Sequence, residues 1–222
     1  MEREVNLKDI QKLYGLNDMV KADSNGCQGC SDCCRGMGSS IILDPLDIQR
    51  LETGLNVSFQ GLLAGKIELN VVDGLILPNL KMAGEQESCA FLNPDGRCSI
   101  HGYRPGLCRL FPLGRYYEEG SFKYYLQTQE CTKPNKSKVK VKKWIDTHDL
   151  KEYEGFVAAW HYFLKNLQGL IKSTKDEDLK KDINMYILNA FYIKPYQEEE
   201  SFYIQFQERL AEAEKVVAAV SW

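Results

Sequence analysis

"CQGCSDCC" fills residues 27–34 and sets four thiols, Cys27, Cys30, Cys33 and Cys34, within eight positions, the last two adjacent. Whatever holds those sulfurs together organises the chain around it. The start of the chain, Met1-Glu2-Arg3-Glu4, is charged rather than apolar, and no apolar run approaches the roughly 18 residues of a membrane span. The expectation is a cytoplasmic protein with no membrane partner. In a reducing compartment its eight cysteines read as metal ligands or redox groups rather than as disulfides. Nor does folding require disulfides, since 222 residues that are 44% hydrophobic can bury a core as one domain, or as a main domain with an appendage. A net charge of -3 gives no argument for a nucleic-acid partner.

Thiolates are soft ligands that favour zinc, copper(I) and iron-sulfur clusters, and a Cys-x-x-Cys spacing lets two sulfurs converge on one centre. Cys27, Cys30 and Cys33 form C-x2-C-x2-C, the spacing of the first three ligands in a bacterial ferredoxin run. Structural zinc sites more often take a Cys pair from each of two separated loops, so the spacing favours an iron-sulfur cluster, with zinc as the alternative. Cys34 departs from the ferredoxin pattern because neighbouring side chains diverge. It reaches a second metal, supports the ligands from behind, or belongs to a multinuclear site. Downstream lie Cys89, Cys98, Cys108 and Cys131, giving enough sulfur for two four-thiolate sites or for one site with spare thiols.

The second dense stretch is "CAFLNPDGRCSIHGYRPGLCRLFP", residues 89–112. Asn93-Pro94-Asp95-Gly96 predicts a turn that brings Cys89 and Cys98 together. Arg97, Arg104 and Arg109 sit beside thiolates, where guanidinium groups offset the negative charge of a four-thiolate centre or hold an anionic substrate. Arg104 and Arg109 are the candidate cofactor-binding residues. His101 is a possible nitrogen ligand; His148 and His161 read as ordinary surface or core residues.

Outward from these motifs, Leu7, Ile10, Leu13 and Tyr14 recur at helical spacing and predict a lead-in helix within residues 1–26. "SSIILDPLDIQRLETG" reads as a short strand and then a helix, with Asp44 as N-cap, Pro45 at the first helical position and Gly54 past the end. "KIELNVVDGLILP" alternates about Asp73-Gly74 and predicts a hairpin. Residues 89–131 have little periodicity beyond a strand in "FKYYLQTQEC", and "KSKVKVKK" at 136–143 predicts a lysine-protected edge strand or a linker. No cysteine follows Cys131. There the apolar residues recur every three or four positions, in three groups: Phe156, Trp160, Phe163, Leu167 and Ile171; Leu179, Ile183, Tyr186, Ile187 and Ala190; Phe202, Phe206, Leu210, Ala213 and Val217. These predict three amphipathic helices that close a small bundle or cover the cysteine unit.

The two cysteine motifs in this order, with "DPLDIQRL" between them, resemble the C-x-x-C-x-x-C-C (YkgJ-like) family of zinc- or iron-chelating cysteine-cluster proteins, which includes flagellin lysine N-methylase. The resemblance implies a bacterial, cytoplasmic metal-binding protein. Cys27, Cys30, Cys33, Cys34, Cys89, Cys98 and Cys108 fall on the motif's thiols, and Arg104, Pro105 and Arg109 on its Arg-Pro-x-x-Cys-Arg element. Cys131 is assigned as a further ligand. S-adenosylmethionine enters only through the resemblance, since neither a G-x-G-x-x-G loop nor the C-x3-C-x2-C spacing of radical enzymes occurs.

The expected fold is α+β: a lead-in helix (1–26), a loop-rich cysteine and metal unit with short strands (27–135), and a helical C-terminal appendage (136–222) whose helices could meet a protein substrate or partner. Three uses are open: a protein-modifying enzyme of the methylase kind, a redox or metal-handling protein, and a zinc-stabilised binding or scaffold module. An open coordination position facing a pocket favours catalysis; a closed, buried site favours structure.

Overall fold

Local signals place most elements in this computed structural model, which describes residues 10–23, 31–128, 130–131 and 133–220. In chain order they form β1 (Leu13–Tyr14), β2 (Met19–Asp23), α1 (Pro45–Leu55), α2 (Phe59–Leu63), β3 (Ile67–Val72), β4 (Leu75–Leu80), β5 (Met82–Ala83) and β6 (Ser88–Cys89). There follow α3 (Gly106–Leu110), β7 (Leu113–Glu118), β8 (Ser121–Leu126), β9 (Ser137–Lys140), α4 (Val141–Ile145), α5 (Leu150–Ser173), α6 (Glu177–Leu188) and α7 (Phe202–Val220). The class is α+β.

Helix α1 starts as its sequence dictates. The Asp47 backbone N–H donates to the Asp44 carboxylate at 2.8 Å and the Asp44 N–H returns a bond to the Asp47 carboxylate at 3.2 Å, a reciprocal capping box with Pro45 at the first position. The helix does not stop at Gly54. It continues to Asn56, which takes the left-handed cap at φ 54°, and Gly54 serves packing instead: a Cβ there would meet the Tyr103 ring at 2.7 Å. The β3–β4 hairpin turns on Asp73 (φ 52°) and Gly74 (φ 91°), the two positive angles that a two-residue primed turn requires. The short strand expected before α1 shrinks to an antiparallel bridge of Ile42 to Asn79, flanked by bonds from Leu43 N–H to Pro78 O and from Leu80 N–H to Ile41 O.

The lead-in helix is not present in the described part of residues 1–26. Leu13 and Tyr14 pair with Tyr125 and Tyr124 of β8, Gly15 to Asp18 close a turn, and β2 buries Val20 and Ala22 by alternation. Two apolar residues matched to a distant strand outweigh a short helical spacing. The lysine–valine segment is a strand only over Ser137–Lys140, where β9 pairs antiparallel with β2, Val139 opposite Val20, in a two-stranded sheet; from Val141 it turns into α4. The remaining sheets are β1-β8-β7, β3-β4 and β5-β6, all antiparallel.

The three C-terminal helices form on the predicted stripes, and α6 runs on through one π turn at Asn189–Ile193. Phe156, Trp160, Phe163, Leu167, Ile171, Ile183, Ile187, Phe202, Phe206 and Ala213 are buried; the rings of Phe156 and Phe206 lie 4.6 Å apart edge to face. These stripes join the core of the cysteine unit. The Tyr192 hydroxyl donates to Leu43 O at 3.1 Å, and the Asn184 amide grips the hairpin turn, accepting from Ile76 N–H at 2.5 Å and donating to Gly74 O at 3.2 Å. The helices therefore pack as part of one hydrophobic core, and what they leave to solvent is mainly their polar faces. No described helix is long and apolar enough to cross a membrane.

Candidate metal centre

Three separate stretches deliver thiols to one cavity of about 340 Å³. Cys33 and Cys34 lie on a single 3₁₀ turn (Asp32–Cys34) that opens from Ser31 in the left-handed region, with Cys34 N–H bonded to Ser31 O. The turn is fastened to β6: Arg35 bridges Ser88, its guanidinium bonds the side chains of Ser88 and Gln86, and Gly36 N–H donates to Glu87 O. Cys89 ends β6. The predicted Asn93–Gly96 turn follows, closed by Gly96 N–H to Asn93 O, by Asn93 N–H to Arg97 O and by Arg97 N–H to the Asn93 side chain at 2.7 Å; Leu92 then pairs with Cys98. Cys108 sits on α3, whose first residue, Gly106, donates its N–H to the Asp47 carboxylate at 2.7 Å. Cys33, Cys34, Cys89, Cys98 and Cys108 all line the cavity.

The electrostatics follow from crowding and burial. The Cys34 thiol donates to the Cys33 sulfur, which brings Cys33 down to about 7 and pushes Cys34 up. Burial, reinforced by the neighbouring sulfurs, raises Cys89, Cys98 and Cys108. Against that, the backbone N–H groups of Phe91 and Ile100 point at the sulfurs of Cys89 and Cys98 and favour their thiolates, as Arg104 does for Cys33 and Cys98. Amides aimed at sulfur and buried thiols that repel one another as anions suit a bound cation. An all-sulfur donor set suits zinc or iron. Among the described residues no three Cys, His, Asp or Glu side chains are gathered closely enough to hold one ion; Cys27 and Cys30 lie outside the described residues.

Adjacency does not drive Cys34 away from Cys33: on a 3₁₀ turn both side chains reach the same cavity. Cys131 does not line it, although Gln127 and Glu130 do; the Cys131 carbonyl accepts from Lys136. The two arginines part ways. Arg104 lines the cavity beside Pro105, its Nη1 donating to His101 Nε2 at 3.1 Å and its Nε buried with no hydrogen-bond partner. Arg109 points elsewhere, its guanidinium bonded to the carbonyls of Arg104, Gly102 and Asp146, so it braces the loop rather than facing the cavity. His101 has its Nε2 lone pair occupied by Arg104; His148 is exposed; His161 is stacked on Tyr117 with ring centres 3.5 Å apart.

Sequence reasoning missed the wall contributed by β7 and β8. Arg115, Tyr117 and Tyr125 line the cavity, and Arg115 Nη2 donates to the Tyr153 hydroxyl of α5 at 2.8 Å. No motif marks them. Asp47, which completes the capping box and anchors α3, was not singled out either.

Residues 26–137, half of the chain, match the family model described as "CxxCxxCC: Putative zinc- or iron-chelating domain". No curated protein and no solved structure shows a significant match. With the matched segment containing all eight cysteines and five of them lining one cavity, the chain belongs to the CxxCxxCC family of zinc- or iron-chelating domains.

Proposed function

We propose that the cysteine cluster holds iron, as an iron-sulfur centre, and that the centre faces a ligand cavity rather than serving as a closed structural staple. The observation that carries this reading is the cavity itself: five thiols from three stretches line a space of about 340 Å³ whose other walls are largely apolar. A staple closes its ligands over the metal, whereas an open position beside a cavity suits handling of a small molecule. Cys33, Cys34, Cys89, Cys98 and Cys108 are the described ligand candidates, joined by Cys27 and Cys30 on the C-x2-C-x2-C spacing. A bound cluster supplies electron transfer or Lewis acidity at that wall. The chain's own residues shape the pocket, direct amides at two sulfurs and set Arg104 against the thiolate charge. The six described cysteines are free of disulfides.

Anaerobic purification with iron, zinc and acid-labile sulfide analysis and a visible spectrum tests the reading. Brown protein with iron and sulfide is expected. Colourless protein with stoichiometric zinc replaces the iron-sulfur reading with the zinc module. Less than about one metal per chain, with all thiols freely titratable, overturns metal binding altogether. Lysine methylation, inherited from the family resemblance, is supported only by the presence of a cavity able to admit a small molecule, and stands or falls on saturable binding of S-adenosylmethionine.

A further inference from the structure

Arg104 and Arg115 both line the cavity, and both have a buried Nε with no hydrogen-bond partner. Charge balance explains the first, since Arg104 acts on Cys33 and Cys98. It does not explain Arg115. That residue stands on β7, and the groups acting on it are chiefly Tyr153, Tyr117, Tyr124 and Asp44. Its hydrogen-bond partners are phenols, those of Tyr153 and Tyr117, and its guanidinium lies 5.5 and 5.7 Å from the rings of Phe122 and Tyr153. Asp44 and Asp47, the nearby carboxyls, are both raised by burial, which weakens them as counter-charges. Unlike Arg104, Arg115 is not among the groups acting on any of the thiols, so its charge is left to meet an anion in the cavity. The single unpartnered N–H of Arg115, its Nε, suits a monoanion rather than a phosphate, which demands more donors. Met37, Ile41, Leu80, Met82 and Leu113 give the remaining wall an apolar surface.

We propose that this cavity binds a small monocarboxylate with an apolar body, its carboxylate met by Arg115 and its body lying along the apolar wall towards the thiols. The proposal deepens the cavity reading above and rests on it; it does not require the metal to be iron. The volume of about 340 Å³ falls at the lower end of small-molecule sites.

Calorimetric titration of the full chain, metal-loaded and after chelation, tests it with octanoate, 1-octanol and inorganic phosphate. Octanoate is expected to bind saturably, with octanol and phosphate at least about tenfold weaker, because one lacks the charge and the other the apolar body. Arg115→Gln is expected to weaken octanoate about tenfold or more, and Arg115→Lys to weaken it less. Because Arg115→Gln could unfold the chain, the octanoate-against-octanol comparison on the parent protein stands as the independent arm. Absence of saturable octanoate binding, octanol binding as tightly as octanoate, or undiminished binding by a natively folded Arg115→Gln protein overturns the proposal. Metal analysis of the same samples keeps the readings apart. Octanoate binding without metal supports this site while the metal reading fails; metal retained without octanoate binding sinks this site and leaves the metal reading standing.

Discussion

Replacing Asp47 with alanine should loosen the thiol wall from behind. Asp47 is 2% exposed, and its carboxylate accepts two backbone N–H groups, from Gly106 at 2.7 Å and from Asp44 at 3.2 Å. Alanine removes both acceptors. The buried Gly106 N–H then has no partner, at a cost of about 1–3 kcal/mol, and half of the α1 capping box is lost for about 1 kcal/mol more. The sum, about 2–4 kcal/mol, is partly offset because burial disfavours the Asp47 charge and raises its pKa. Asp47→Asn separates the contributions: it keeps an oxygen for Gly106, loses the charge and forfeits only the bond from Asp44, so about 1 kcal/mol or less is expected. With a urea dependence of about 2 kcal/mol per molar, the midpoint should fall by about 1–2 M for alanine and by less than about 0.5 M for asparagine. Metal retention against a chelator should follow the same order, since Gly106 begins the helix that carries Cys108. If alanine leaves the midpoint within about 0.3 M of the parent, or if asparagine is as damaging as alanine, the Gly106 bond is not what fixes α3 and the reasoning fails.

Two further outcomes follow from the same region. Asp44 is raised to about 8 from an unfolded value near 4, so its neutral form favours the folded chain: that contribution is complete below about pH 4 and is lost as the pH rises towards 8. Asp44→Asn, which keeps an oxygen for the Asp47 N–H, should therefore flatten the decline in urea midpoint between pH 5 and pH 8, and parallel pH profiles for parent and variant would refute this. Serine at Cys33 should lower the metal content more than serine at Cys34, because Cys33 completes the C-x2-C-x2-C spacing with Cys27 and Cys30; equal losses by metal counting would show that the two sulfurs serve one centre equivalently.

What could be read beforehand was whatever a local rule governs. Asp73-Gly74 supplies the two positive angles of its hairpin, Asp44-Pro45 marks the start of its helix, and Trp160 and Phe163 repeat a helical period over many turns. Leu13 and Tyr14 offered too few turns of pattern to reveal that their partners are Tyr125 and Tyr124, far along the chain. At the site, residue identity announced the thiols, and the Asn93–Gly96 turn announced the approach of Cys89 to Cys98. Direction was not announced. Arg104 and Arg109 both stand close to Cys108 in sequence, yet one faces the cavity and the other takes three backbone carbonyls, because Arg104 precedes α3 and Arg109 lies on it. Arg115 had no signal at all: its meaning depends on Tyr153, a residue of another element.

That dependence changes what the C-terminal helices are for. Tyr153 of α5 places its hydroxyl where it accepts from Arg115, and the same oxygen lies 2.5 Å from the point a Cβ on Gly106 would occupy, so residue 106 has room only for glycine. Glu154, next along α5, accepts from the Tyr124 hydroxyl of β8, and Trp144 of α4 donates its indole N–H to Leu110 O at the end of α3. The thiol-bearing helix α3 is thus held by Asp47 on one side and by Tyr153 and Trp144 on others, while β7 presents Arg115 to the cavity from a side chain anchored on α5. A cysteine-free segment, which on composition looked separable from the metal unit, forms the support behind two of its walls. The positions of Cys108 and Arg115 relative to each other are consequently set by α5 as much as by the cysteine motif.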